Sequence, residues 1–500
     1  MFLRMFVSIF LAVSAIFACA AECPVSAKES PTAQGLLKNG DFEQGFKHWR
    51  KPGSLWRVED GAGYGGSKGL VWECRDADRY EYPVQYVPLE AGSAYRFSAL
   101  VKVDELKKGA RPSVGCEWID SNGKWIAGAY AHPVDDNGAI KGGWVRYEGK
   151  TKPMRKSGLR GGVLCALMKG LTGRVRFDDF SFERLPVKPV EFVSTSAYRD
   201  TASGGTLRVL ASINANTNLH VATLAVKTAA GAAMTQTPVS FSEDMAVFSI
   251  PVAELAMGRQ KMSFRLASRS GGETVGTGEV SFERTAVAAP QRRVSFDGQR
   301  RMLLDGKKFF PLGHYSNVMT DEDMRQYRRG PYNFAIVYNS ISMEQLDLWQ
   351  KAGVYVAADV RRFIYGYNYN CITRNLKTAE ETKAALRKVF EEVGSHPALV
   401  MWYLNDEAPA TLIPNLTVTH EFLHEIDPGR ATLTCLDRSN VARDFLPSYD
   451  VVAHDCYPVG NTVASGRSRL DRVVRQMREL DADMVSMRPL WFIPQAFDWR

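Results

Sequence analysis

Beyond Arg301 the sequence alternates short apolar runs with helical segments, and that rhythm leaves few folds open. Strands separated by a helix pair in parallel, because the crossover returns the chain to its starting edge. The runs cover 309–313, ending at His314 and Tyr315, then 334–338, 354–359, 396–404, 431–436, 449–454 and 489–495. Between them, Thr320-Asp321-Glu322-Asp323 starts a helix, while Ser342-Met343-Glu344-Gln345 and Thr378-Ala379-Glu380-Glu381 read as capping boxes. Leu386, Val389, Phe390 and Val393 form one helical stripe, and Leu470, Val473, Val474 and Met477 another. The pattern predicts a (β/α)8 barrel over residues 300–500 that stops after strand seven, since a full barrel takes about 250 residues.

The amino-terminal part follows a different grammar. Residues 35–186 hold short alternating runs, such as 95–101 and 174–177, broken by Gly, Asp and Asn turns, which predicts a β-sandwich. In its last run the alternation of Val175 and Phe177 breaks at Asp178-Asp179 and resumes at Phe180 and Phe182, the mark of a bulge. Residues 190–285 are β-rich again, punctuated by Gly204-Gly205, Gly231 and Gly271-Gly272. An immunoglobulin-like sandwich serving as a spacer is expected there, with a hinge at 286–290 leading into the barrel.

Residues 1–21 have the build of an export signal. Arg4 precedes an apolar stretch over 6–13, and small residues follow at Ala18, Ala20 and Ala21. A secreted, periplasmic or cell-surface protein is expected; plain export is preferred to lipid anchoring through Cys19, because Phe17 suits the lipid-attachment pattern poorly. No later stretch is long and apolar enough to cross a bilayer. The net charge of +8 comes without a basic run, which argues against a nucleic-acid partner. The cysteines are scattered without a C-x-x-C pair, so zinc is not indicated, and Cys435 and Cys456 read as buried free thiols.

The fourth run ends in Trp402-Tyr403-Leu404-Asn405-Asp406-Glu407. The carboxyl ends of barrel strands are where substrate is met, and adjacent acids there must be solvated or paired. A neighbouring Asp406 carboxylate would raise the pKa of Glu407, as a general acid requires. The segment resembles the TIM-barrel clan of retaining glycoside hydrolases, which place an acid/base Glu after strand four, usually behind Asn, with Trp upstream. Here Asp406 stands where Asn is usual. The resemblance implies a poly- or oligosaccharide substrate, Glu407 as acid/base assisted by Asp406, and no catalytic cofactor. The clan's nucleophile ends strand seven, where this sequence has Gln495, with Asp498 three residues on. Trp402, Asn405, His314, Tyr315, Asp359, Arg361, His454, Tyr457, Gln495 and Trp499 are the expected sugar contacts. A metal set of His314, His454 and Asp455 lacks a supporting ligand spacing.

Two further motifs, LLKNGDFEQGFKHW near residue 36 and RVRFDDFSFERL at 174–185, resemble the CenC-type carbohydrate-binding modules, a jelly-roll family. That resemblance implies a structural calcium held by Glu43 and Asp178. Trp49, Trp56, Trp72, Trp118, Trp125 and Trp144 are dense in this segment, and an exposed indole stacks on sugar whereas most sandwich tryptophans are core. The leading reading is a glycoside hydrolase; the alternative is a non-catalytic glycan-binding protein with a degenerate barrel. The Asp406-Glu407 pair favours the first and Gln495 the second.

Overall fold

The computed structural model describes residues 35–90, 92–107, 112–133, 143–153, 160–165, 170–286, 292–338, 341–367, 376–459 and 470–495. The leader, Cys371, Asp498 and Trp499 lie outside these residues. Among the described residues, no helix is long and apolar enough to cross a membrane.

The first unit is a jelly roll. Its six-stranded sheet centres on Gly173–Leu185, flanked by Gly69–Cys74 and Ala94–Leu106, and its four-stranded sheet runs Val84–Pro88, Arg160–Cys165, Val114–Ile119, Trp125–Tyr130. Trp49, Trp56, Trp72, Phe97, Val175 and Phe177 fill the space between the sheets. The register of Gly173–Leu185 slips between Asp178 and Ser181, the bulge expected from the broken alternation, and Asp179 adopts a left-handed φ of 50°. A second two-layer sandwich follows, with a four-stranded and a five-stranded sheet closing over Leu207, Val209, Phe248, Met262, Phe264 and Leu266.

The third unit is an all-parallel sheet with its strands in chain order: β1 (Gly313–Ser316), β2 (Phe334–Val337), β3 (Tyr355–Asp359), β4 (Leu399–Asp406), β5 (Ala431–Leu436), β6 (Val451–Cys456) and β7 (Leu490–Pro494). Helices α1 (Asp321–Arg329), α2 (Met343–Lys351), α3 (Ala379–Val393), α4 (Ile413–Ile426), α5 (Ala442–Phe445) and α6 (Asp471–Asp483) connect them. Thr320 and Thr378 close full capping boxes, and Ser342 accepts from the Gln345 amide. The sheet curls as a barrel does: Phe334 of β2 meets Trp491 of β7 at 5.7 Å, and the Tyr315 hydroxyl of β1 lies 3.1 Å from that of Tyr403 on β4. A three-strand meander over 294–308 plugs the bottom, with Val294, Met302 and Leu304 packed under Phe334, Val400, Leu433 and Val451.

Two expectations change. The first strand begins at Gly313 rather than residue 309, and Phe310 is 78% exposed. The Leu470 and Val474 side chains are also exposed, so that stripe is not core; α6 instead buries Leu480, and Met484 beyond it. The helix sits beside β7, the last strand of the described sheet, and so has a strand neighbour on one side only.

The second sandwich is more than a spacer. Its Arg199 guanidinium donates to the His424, Asp427 and Arg430 carbonyls, capping the C-terminal end of α4. Arg443 of the barrel, itself buried, pairs with Asp244 of the sandwich at 2.7 Å and with Asp483 at 3.2 Å. Arg488 reaches the Ser194 hydroxyl and the Thr195 carbonyl. The jelly roll touches the barrel directly through Lys152 and Asp444 at 2.6 Å.

Candidate active site and sugar-binding face

Strand β4 carries two register slips, at Val356/Ala357 against β3 and at Tyr403/Asn405 against β5. Each slip changes which face the following side chains take. Tyr403 joins the inner core and Leu404 the helical layer; Asn405 then pairs with Thr434, and Asp406 with Cys435, an inner residue of β5. The second bulge therefore sends Asn405 outward and Asp406 inward.

This corrects two expected sugar contacts. Trp402 is buried in the helical layer and donates its indole N–H to Asp427 at 2.8 Å. Asn405 is fully buried; its Oδ1 accepts from the Ala408 amide at 3.1 Å and from the Tyr367 hydroxyl at 3.4 Å, building the turn that follows β4. In that turn Glu407 takes a left-handed φ of 58° and donates its amide to the Cys435 carbonyl. A non-glycine residue there costs about 1 kcal/mol, a strain characteristic of functional positions.

The turn aims the Glu407 carboxyl at Asp455 of β6, with which it shares a side-chain hydrogen bond. Burial, then the Asp455 hydrogen bond and charge, push Glu407 up to about 9. Asp437 and Asp406 add smaller repulsions. Two facing carboxyls need one proton between them, and a proton on Glu407 gives the buried Asp455 Oδ1 a donor. The Tyr457 hydroxyl donates to the other oxygen, Oδ2, at 2.8 Å. Asp437, just past β5, is also raised, by burial and by the Asp455 charge.

Beside this pair lies a compensated cluster. Arg361 forms a bidentate pair with Asp359, both bonds at 2.9 Å, and reaches Asp406 Oδ2 at 2.7 Å. Its plane lies over the rings of Tyr338 and Tyr403. The Tyr403 hydroxyl donates to Asp406 Oδ1 at 2.7 Å, and Tyr315 stacks on Tyr338 at 4.8 Å. Against the cost of burial, the Asp359 hydrogen bond and the charges of Asp359 and Asp406 hold Arg361 above its ordinary value. Asp406 is thus tied to Arg361 and the tyrosines, and the principal partner of Glu407 is Asp455.

The remaining expected contacts divide. Tyr315, Asp359, Arg361 and Tyr457 all converge on the barrel mouth. His454 does not: it points into the outer layer, with Nδ1 bonded to the Leu436 carbonyl at 2.6 Å. His314 packs on Tyr327 of α1 and on Tyr332, outside the barrel. Gln495 spends both amide atoms on the Val459 backbone, at 3.0 and 2.9 Å, and so pins the segment after β6. Tyr338 was missed as a member of the site, and Asp455, named beside His314 and His454 as a metal set, was not expected as the partner of Glu407. Counting alternate residues along β6 from Val451 would have placed Asp455 inside and His454 outside.

On the jelly roll, Trp49, Trp56 and Trp72 are core, whereas Trp125 is 55% exposed. One row across the outer face of the four-stranded sheet reads Tyr86, Gly162, Glu117, Gly128. Flanking rows add Trp125 and Tyr130, and the Tyr130 hydroxyl donates to Glu117 at 3.0 Å. Gly162 and Gly128 alternate with Tyr86 and Glu117 along this row, and rings set beside a carboxylate suit a sugar's apolar face and hydroxyls. Glu43 and Asp178 meet on the 63–68 loop: Asp178 accepts from the Tyr64 amide and the Ser67 hydroxyl, Glu43 from the Lys68 amide. Both carboxylates therefore tie the two ends of the sandwich to this loop.

No curated protein matches the chain by sequence. Solved structures similar to it include a β-D-glucuronidase from Dictyoglomus thermophilum, 14% identical over 89% of this chain and 82% of that one, with a TM-score of 0.33. A family 2 glycoside hydrolase β-galacturonidase from Eisenbergiella tayi bound to galacturonate is 13% identical over 88% of this chain and 81% of that one, with a TM-score of 0.31. A β-glucuronidase from Parabacteroides merdae is 14% identical over 83% of this chain and 55% of that one, with a TM-score of 0.30. Over residues 34–160, the jelly roll matches the family described as a carbohydrate binding domain.

Proposed function

We propose that this is an exported carbohydrate-active protein whose barrel hydrolyses O-glycosidic bonds of a poly- or oligosaccharide, with Glu407 as general acid. The observation that carries this reading is the Glu407 carboxyl turned by a strained residue against Asp455 and raised to about 9. Such a group keeps its proton at neutral pH and can deliver it to a leaving oxygen. Paired catalytic carboxylates stand about 5–5.5 Å apart in retaining enzymes and further apart in inverting ones. Glu407 and Asp455 are in hydrogen-bond contact, so Asp455 acts as the positioning residue that raises Glu407. The glycosidic oxygen would replace Asp455 as acceptor of the Glu407 proton. Tyr86, Glu117, Trp125 and Tyr130 would hold the polymer on the jelly roll, consistent with a carbohydrate binding domain.

A glycan-binding protein without turnover is the second reading. It is favoured by Gln495, whose amide is committed to Val459, and by the lack of a carboxylate at the end of β7 among the described residues. The full chain and Glu407→Gln, assayed on aryl glycosides and on plant and mucin polysaccharides with binding measured in parallel, separate the two. Hydrolysis lost in the variant with binding retained supports the enzyme. Wild-type turnover that survives the substitution removes Glu407 from the mechanism, and binding without any turnover selects the second reading.

A further inference from the structure

At the opposite end of the barrel, His420 and His424 stand one turn apart on α4 and face Asp450, the residue before β6. Their ring centroids are 3.9 Å apart, and one ligand atom from each of the three residues lies within 4.8 Å of the others. We propose that His420, His424 and Asp450 bind a zinc-class divalent ion. Two imidazole nitrogens and one carboxylate oxygen suit a late first-row dication better than calcium or magnesium.

Hydrogen bonding prepares the ligands. Thr432 Oγ1 lies 2.8 Å from His420 Nδ1 and 3.1 Å from Asp450 Oδ2. The Thr432 hydroxyl donates to Asp450, so it accepts from His420 Nδ1–H, and that tautomer leaves Nε2 with a lone pair. A hydrogen bond to the far ring nitrogen orients a ligating histidine. His424 Nε2 lies 2.9 Å from Asp450 Oδ2, so a bound ion would replace the proton between them. Of the neighbouring guanidiniums, Arg199 is turned to the carbonyls at the end of α4, and Arg488 to those of Thr195 and Tyr449. The ion would tie α4 to β6 beside the second sandwich, far in the fold from the acid pair at the mouth.

The test uses the full chain without a histidine tag, stripped with chelator and titrated with Zn2+ or Co2+. One equivalent is expected to bind, giving visible d–d bands with Co2+ and a raised melting temperature with Zn2+. His424→Gln preserves a donor toward Asp450 while removing a ligand, and should fold with an unchanged circular dichroism spectrum but lose the bound equivalent. Thr432→Val should weaken binding about 10–100-fold by removing the hydroxyl that orients His420. Wild-type protein that takes up no ion, or a folded His424→Gln protein that binds it equally well, overturns the proposal.

Discussion

Replacing Glu407 with Gln should change how stability responds to pH, independently of any substrate. In the fold Glu407 binds its proton up to about 9, against an ordinary value of 4.5. Between those values the folded chain holds a proton that the unfolded chain has released, so stability falls as pH rises through that window and is unaffected below it. Each pH unit is worth about 1.4 kcal/mol, so a rise from about pH 5 to about pH 8 removes at most about 4 kcal/mol. Solvent screening of this partly exposed carboxyl reduces that to roughly 2 kcal/mol. Glutamine keeps the shape and a donor toward Asp455 but does not titrate. Urea unfolding of both proteins across this range, followed by tryptophan fluorescence, should show the wild type losing that amount relative to Glu407→Gln. Asp455→Asn should retain a weaker slope, because burial is the largest cause of the shift and remains. A difference between wild type and Glu407→Gln that stays flat with pH would refute the protonated pair.

Arg361→Met should destabilise the barrel by about 3–5 kcal/mol in the same unfolding assay, since Asp359 and Asp406 would lose their buried counter-charge; Arg361→Lys should recover part of this, lacking the planar fork. Trp125→Ala and Tyr130→Ala should each weaken polysaccharide retention in affinity electrophoresis by about 1 kcal/mol, roughly fivefold, without altering the response of the barrel to pH.

The sequence carried the strand and helix order of the barrel because those depend on periodicity and caps, which are local. Thr320, Ser342 and Thr378 all cap where expected, and the broken alternation at Asp178-Asp179 is a bulge. The slips in β4 were not legible, because they are set by pairing with β3 and β5 and leave no mark in an apolar run. That is why Trp402 and Asn405 read as sugar contacts and are buried supports. Glu407 was legible by its place after the fourth strand, whereas Asp455 is brought to it only by the curl of the sheet. The sandwich-to-barrel contacts of Arg199 and Arg443 join residues more than 190 positions apart and carry no local signature.

The grip of Arg199 on the end of α4 bears on how a long polymer would be handled. A module on a flexible tether raises the local concentration of its ligand without regard to register, and performs best when the linker span matches the gap. Here the intervening sandwich is bolted to the barrel through Arg199, Arg443 and Arg488, and the jelly roll touches it through Lys152. Held in this arrangement, the three units would act as a ruler rather than a leash. A chain seated across Trp125 and Tyr130 would present a set stretch of its length to the barrel mouth, so substrate length as well as sugar identity would govern engagement.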